Sequence, residues 1–365
     1  MHRVHLTYTL GGKRDAQRDL HHPLPALLAA VHDSGSISGA ARTLDMSYRH
    51  VWGELKRWEM ALGQGLVSWV KGQPAVLSPF AEKLLWAERR AQARLAPQVE
   101  ALRGELERAF AIAFDDSAGL VPIAASHDEA LPMLRQWAQH EHRLHLDIQF
   151  GDSLEALAAL NDGRCLLAGF HALAASPSRG PTARAYRALL KPGRHKLVSF
   201  ARRLQGLIVA AGNPLGIQGL ADLRHPGLRF AQRATGSGTR VVLDELLAAQ
   251  RLSAADIAPL VRTEPSHRAA AEAVASGAAD ASFGIEAVAR ARGLDFLPLA
   301  EELYFLAALR PSLEHPHVQA LLALLRSPAW QARLATLPGY SAERSGEVLS
   351  LRGVLPWWNY RTPRR

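Results

Sequence analysis

Ser34-Gly35-Ser36-Ile37-Ser38-Gly39-Ala40-Ala41-Arg42-Thr43-Leu44-Asp45-Met46-Ser47-Tyr48-Arg49-His50-Val51-Trp52-Gly53-Glu54-Leu55-Lys56-Arg57-Trp58 is the stretch that decides how the front of the chain folds. Ser36 offers an oxygen to cap a helix over Ile37 to Leu44, and Asp45-Met46-Ser47 makes a tight turn. Ser47 then caps a second helix from Tyr48 to Leu62. Gly39, Ala40 and Ala41 are small enough to let two helices cross closely. In the second helix Val51, Leu55, Trp58 and Leu62 recur at i, i+4, i+7 and i+11, which predicts its buried face. Arg49, His50, Gly53, Lys56 and Arg57 lie opposite. A helix offering Ser47, Tyr48, Arg49 and His50 at its start suits base edges in DNA, with Lys56 and Arg57 meeting phosphates. The bland alternative is an amphipathic helix pair with a solvated charged face.

The flanking sequence favours DNA. Val4 to Leu10 alternates like a strand, and Pro23 to Val31 reads as a helix. Leu66 to Val70 and Ala75 to Leu77, joined across Lys71-Gly72-Gln73-Pro74, read as a two-stranded wing, with Lys71 and Gln73 along the backbone or minor groove. Ser36 joins this candidate DNA-facing set. Pro79 suits the first turn of a long helix reaching about Phe114. Along it Ala91, Leu95, Leu102, Leu106 and Ala109 form a stripe suited to a partner helix, and Pro97 should kink or split it.

The chain has 365 residues, enough for two or three domains, with 48% hydrophobic and 21% charged residues. Its charge of +9 divides into +3 for the first 115 residues and +6 for the rest, so bulk charge does not mark the DNA-binding part. One cysteine, Cys165, excludes an internal disulfide framework and a multi-thiolate zinc site. No protein-ligated metal and no resident cofactor are expected. No apolar run approaches a membrane span and the start lacks a signal-peptide core, so a cytoplasmic protein is expected.

From Leu120 onward short apolar strands alternate with helices, the pattern of an α/β fold. Strands are expected at 120–125, 144–150, 165–170, 197–202, 206–210, 228–231, 281–284, 294–299 and 304–309. Helices are expected at 129–140, 154–161, 239–250, 268–276 and 317–325. Four strand-to-helix junctions stand out: Ser126-His127-Asp128, Gly151-Asp152-Ser153, Gly169-Phe170-His171 and Arg233-Ala234-Thr235-Gly236-Ser237-Gly238-Thr239-Arg240. Helix N-termini expose unpaired N–H groups, so each junction is a natural anion seat. Gly236 and Gly238 let backbone approach a ligand, Ser237 and Thr239 supply hydroxyls, and Arg233 or Arg240 supplies charge. No activated nucleophile is evident, since Cys165 falls in an expected strand, and an enzyme using His127 or His171 as acid or base is disfavoured.

Residues 2–112 resemble the winged-helix domain of ModE, the molybdate-responsive regulator, related in design to LysR-type regulators. Ser34–Ser38, Ala40-Ala41, Met46-Ser47-Tyr48, Val51-Trp52 and Ala75–Ser78 carry the likeness, although the wing is shorter and less glycine-rich. The likeness implies a homodimer through the long helix, bound to an inverted-repeat operator, with tetramers left open. Residues 118–358 resemble the periplasmic-binding-protein-like domain fused to ModE-type DNA-binding domains. Gln205-Gly206-Leu207, Gly212-Asn213-Pro214, Ala273–Asp280, Gly284-Ile285-Glu286, Leu294–Leu299, Glu302, Tyr304 and Leu337–Tyr340 carry that likeness.

The combined resemblance implies an N-terminal α+β winged helix-turn-helix (1–78), a linker helix (79–115) and a two-lobed α/β ligand-sensing domain (116–365). It implies a one-component regulator sensing molybdate or tungstate to control molybdenum- or tungsten-related genes. Periplasmic molybdate binders seat the ion on serines resembling Ser126 and Ser153, and tungstate binders have an Arg…Ser-Gly-Thr segment resembling Arg233 with Ser237–Thr239. Asp152, Thr235, Arg240, Tyr304, His127 and His171 complete the candidate ligand set. A sensor for an organic anion or a molybdenum-cofactor-related ligand is the alternative.

Overall fold

The computed structural model describes residues 24–68, 75–114, 119–173, 180–234, 237–257 and 260–355. The expected strand over Val4 to Leu10, and Lys71, Gln73, Thr235 and Gly236, lie outside them. Two compact units divide at Gln92/Ala93, inside a long helix.

The first unit holds α1 (Leu24–Ser34), α2 (Ile37–Thr43), α3 (Tyr48–Leu62), β1 (Val67–Ser68), β2 (Val76–Leu77) and the start of α4 (Pro79–Phe114). Ser36 caps α2 by accepting from Gly39 N at 2.9 Å, and Ser47 caps α3 by accepting from His50 N at 3.2 Å. A Cβ on Gly39 would come within 2.6 Å of the Ser34 side chain, which is why a glycine stands where these turns crowd. Val51, Leu55 and Trp58 pack with Leu24, Leu27, Leu28, Ile37, Leu66 and Leu77. Leu62 does not join them: residues 60–65 run past the core and are all exposed. The carboxylate-bearing Glu54 is buried instead. Antiparallel β1 and β2 make the expected wing base, with Val67 opposite Leu77.

Helix α4 is continuous through Pro97, so the expected split is absent. Proline lacks the N–H that would bond back to Ala93 O. That carbonyl instead accepts the Ser266 hydroxyl at 3.3 Å.

The second unit is built on a ten-stranded sheet. Its elements are β3 (Gly119–Ser126), α5 (Ala130–His142), β4 (Leu144–Gly151), α6 (Ser153–Asn161), β5 (Leu167–Leu173), α7 (Pro181–Arg187), β6 (His195–Val209) and β7 (Phe230–Arg233). They continue with α8 (Gly238–Ala249), β8 (Leu260–Glu264), α9 (His267–Ala275), β9 (Ala281–Ile285), α10 (Glu286–Arg290) and β10 (Asp295–Leu309). Last come α11 (Pro316–Arg326), α12 (Pro328–Leu334), β11 (Tyr340–Ser341), β12 (Val348–Leu349) and α13 (Leu351–Val354). The order β4-β3-β5-β10-β6-β9-β7-β8 places one parallel group, β4-β3-β5, at one end and another, β9-β7-β8, at the other. The antiparallel pair β6 and β10 joins them, and β11 and β12 add to β6. This is a two-lobed α/β arrangement.

Two expectations are corrected here. Residues 197–202 and 206–210 form one strand, β6, and 294–299 and 304–309 form one strand, β10. Their shared register slips between Pro298 and Ala300, opposite Gln205 and Gly206. A Cβ on Gly206 would overlap the Leu297 carbonyl, so glycine permits that close crossing. Cys165 is buried but precedes β5 rather than lying in it, and β8 had no counterpart among the expected strands.

Candidate functional site

In the first unit the start of α3 is open to solvent. Ser47, Arg49 and His50 are exposed and Tyr48 is 46% exposed. Lys56 and Arg57 are less free than the sequence suggested. Lys56 Nζ bonds Glu59 at 2.6 Å and lies over the Trp52 ring, while Arg57 pairs with buried Glu54. The other oxygen of Glu59 accepts from Leu66 N and Val67 N, fastening β1 to α3. Ser36 acts as a cap.

In the second unit the strand-to-helix junctions of the two lobes meet. Asp152 caps α6, its carboxylate taken up by Leu154 N and Glu155 N at 2.8 Å each. Ser237 caps α8, donating to Ala234 O at 2.8 Å and accepting from Arg240 N. The two helix N-termini touch: a Cβ on Gly238 would overlap the His171 ring and come within 2.8 Å of Ser153 Oγ. Two partial positive helix ends thus face one buried point.

Around that point stand Ser126, Ser153, His171, Arg233, Thr239 and His267, all buried. Ser126 Oγ lies 2.6 Å from His171 Nε2, and Thr239 Oγ1 lies 3.2 Å from His267 Nε2. Arg233 donates through Nε to Glu264 O at 3.2 Å and through Nη2 to Pro265 O at 3.0 Å. Its Nη1 has no partner among the described residues although fully buried. Burial, then the charge of Arg203, lowers Arg233 to about 10, which still leaves it cationic at neutral pH. Burial first, then Arg203 and Arg233, holds His171 and His267 well below the usual histidine range, so both are neutral.

Behind the point lies a charged network whose centre, Arg203, was missing from the sequence reading. Arg203 is 1% exposed and bonds Asp128 Oδ2 at 2.5 Å and Glu302 Oε2 at 2.6 Å. Gln205 donates to Glu302 at 2.6 Å and the Tyr340 hydroxyl to Asp128 at 2.7 Å. Burial disfavours its charge, but Glu302, Tyr340 and Asp128 hold Arg203 protonated far above its usual range. A guanidinium with two carboxylates is how such charges tolerate burial.

Other candidates are engaged with partners of their own. Arg240 is committed to Asp244 Oδ1 at 2.8 Å and to Gln232. Tyr304 is buried, its hydroxyl donating to Ser126 O at 3.2 Å and its ring edge-on to His171. His127 stacks on Phe150, ring centroids 4.6 Å apart. With Phe150, Glu129, Ser266, His267, Arg268 and Pro97 it borders a cavity of about 270 Å³. Among the described residues no cluster of His, Cys, Asp or Glu is arranged to hold a metal ion, and no helix is long and apolar enough to cross a membrane.

Comparison with known proteins agrees with this architecture. Residues 134–326 match the PBP superfamily domain and residues 26–82 match the bacterial regulatory helix-turn-helix protein family, lysR. The chain belongs to the PBP superfamily, with a lysR-family helix-turn-helix ahead of that domain. This is the architecture of a LysR-type DNA-binding regulator with a PBP-like effector domain, and neither matched family is a catalytic one. The uncharacterised protein YvgK of Bacillus subtilis (strain 168) is 32% identical over 201 residues, 55% of this chain and 64% of its own length. An uncharacterised protein encoded in the 5′ region of a 2Fe-2S ferredoxin gene of Clostridium pasteurianum is 30% identical over 86 residues, 23% of this chain and 76% of its own. A probable transcriptional regulator of Pseudomonas aeruginosa is 19% identical, covering 84% of this chain and 95% of its own, with a TM-score of 0.42.

Proposed function

We propose that the chain is a one-component transcriptional regulator whose second unit senses a small oxyanion, molybdate or tungstate, and controls molybdenum- or tungsten-related genes. The carrying observation is the buried Arg233, its Nη1 without a partner among the described residues, at the end of β7 that leads into α8, whose N-terminus meets that of α6. A buried cation with spare donors calls for an anion, because an unpaired buried charge is costly. Ser126, Ser153, the backbone N–H groups of α8 and Arg233 would hold the ion.

The same arginine supplies a route to the linker helix. Its partners are the carbonyls of Glu264 and Pro265, the Glu264 carboxylate pairs with Arg94 at 3.3 Å, and Ser266 bonds Ala93 O. An anion that draws Arg233 inward pulls on the segment that grips α4. Only a difference in affinity between two arrangements of α4 would alter DNA binding. A homodimer through α4 fits its exposed Leu95, Leu102 and Leu106.

The neighbouring cavity of about 270 Å³, lined by His127 and Phe150, favours a second reading, a larger organic anion or cofactor-related ligand. Calorimetry of the full chain against molybdate, tungstate, sulfate and phosphate separates these. Micromolar affinity for the first two supports the oxyanion reading, and no heat with any of the four removes it.

A further inference from the structure

Gly53 stands in the interior of α3, where a glycine weakens a helix relative to alanine. Gly39 in α2 has a packing reason in the Ser34 side chain, but a Cβ on Gly53 would meet nothing within 4 Å among the described residues. Gly53 falls between Val51 and Leu55 in sequence. At about 3.6 residues per turn it therefore lies across the helix from the buried face that Val51, Leu55 and Trp58 form.

Beside Gly53 the outer face is aromatic. Trp52 is 41% exposed, and Tyr48, one turn earlier, is 46% exposed. Lys56 Nζ stands 5.6 Å from the centre of the Trp52 ring and bonds Glu59 at 2.6 Å. Glu59 in turn takes the N–H groups of Leu66 and Val67 at the start of the wing. The ring is thereby held by a cation that is itself anchored, and that cation is committed within the fold. This part of α3 offers bare backbone and a fixed apolar ring where the sequence suggested charge.

We propose that Gly53 lets α3 sit deeper in the major groove of duplex DNA, and that the held Trp52 ring reads the 5-methyl group of a thymine there. This rests on the DNA-binding reading of the first unit. The groove is about 12 Å wide and a helix with its side chains about 10–12 Å across, so one missing side chain on the entering face changes which neighbours reach the base edges. Thymine is the base that presents an apolar group in that groove, and apolar side chains read it. The polar readers of adenine, Asn and Gln, do not occur in α3. A ring already fixed by Lys56 loses little freedom on binding.

The test uses the full chain and duplexes that it selects from a randomised pool. Each thymine of a selected duplex is replaced in turn by deoxyuridine, which lacks only the methyl group, and fluorescence anisotropy reads the affinity. Wild-type protein should lose about fourfold at one thymine or more, the worth of one buried methyl group. Trp52→Ala should bind the thymine and deoxyuridine duplexes equally at that position, whereas Trp52→Phe, which keeps an apolar ring, should retain a preference for thymine. Deoxyuridine that changes nothing for wild type, or an undiminished loss in Trp52→Ala, overturns the reading of the methyl group. Gly53→Ala should bind the thymine duplex at least about tenfold more weakly although its helix is strengthened, so unfolding does not account for the loss. Wild-type affinity in Gly53→Ala overturns the depth role. A chain that selects no duplex at low salt overturns the DNA-binding reading, and this proposal with it.

Discussion

Gly238→Ala adds one methyl group where the two lobes touch, and its cost follows from what surrounds it. The new Cβ would overlap His171 and lie 2.8 Å from Ser153 Oγ. Neither neighbour yields easily. His171 is held by Arg203 and Ser126, and Ser153 is fully buried in the first turn of α6. Relief must come from moving α8 away from α6, which separates the two helix ends proposed to share the anion. Inserting a methyl group into a packed interior costs about 1–3 kcal/mol. Charged to ligand closure, that cost weakens oxyanion binding ~5- to ~150-fold. Urea unfolding and calorimetry with molybdate on the same preparation measure both effects. Gly53→Ala is the control, because its Cβ meets nothing within 4 Å in α3, and it should gain up to about 1 kcal/mol. Gly238→Ala with unchanged molybdate affinity would show that the seat does not lie at this contact.

Other substitutions probe separate links. Arg233→Ala removes a charge-assisted bond worth about 1.5–3 kcal/mol, so calorimetry should show at least a tenfold loss of oxyanion affinity; retained affinity places the ion elsewhere. Arg94→Ala should leave oxyanion affinity intact while reducing the effect of the ion on operator binding, measured by fluorescence anisotropy with and without molybdate. Equal loss of both would refute the route through Glu264. His171 and His267 are neutral in the fold, so below their unfolded value of 6.5 the unfolded chain gains protons that the native chain does not. Stability should therefore fall as pH drops below 6.5, by about 1.4 kcal/mol per pH unit for each histidine, and a flat urea midpoint from pH 6.5 to about 5.5 contradicts their neutrality. Arg49→Ala should reduce the salt slope of DNA binding by about one if it meets a phosphate, or relax specificity at one base pair if it reads an edge. No change in either removes Arg49 from the interface.

The helix-turn-helix was legible because its evidence is local. Caps at Ser36 and Ser47, the small run at Gly39 to Ala41 and the Val51, Leu55, Trp58 spacing are all short-range signals, and each stands where the pattern put it. Leu62 failed because periodicity does not say where a core ends. The buried Glu54 went unassigned, because a carboxylate inside looks wrong until Arg57 is beside it. In the second unit the strand-to-helix junctions at Asp152 and Ser237 were legible as strand ends followed by caps. The long strands β6 and β10 were not, since Arg202, Arg203 and Gln205 read locally as a polar break. The burial of Arg203 and Gln205 is made possible by Asp128 and Glu302, which stand 75 and 99 residues from Arg203 in the chain. Strand β8 was hidden for the same kind of reason, because Arg262, Thr263 and Glu264 interrupt any apolar alternation.

A crystal structure of the full chain soaked with tungstate tests the proposed sensing role most directly, since anomalous scattering locates tungsten without assumption. The account predicts one strong peak between the starts of α6 and α8, with ion oxygens within hydrogen-bond reach of Ser126 Oγ and Arg233 Nη1. A peak elsewhere, or none at occupancy-saturating concentration, would contradict it.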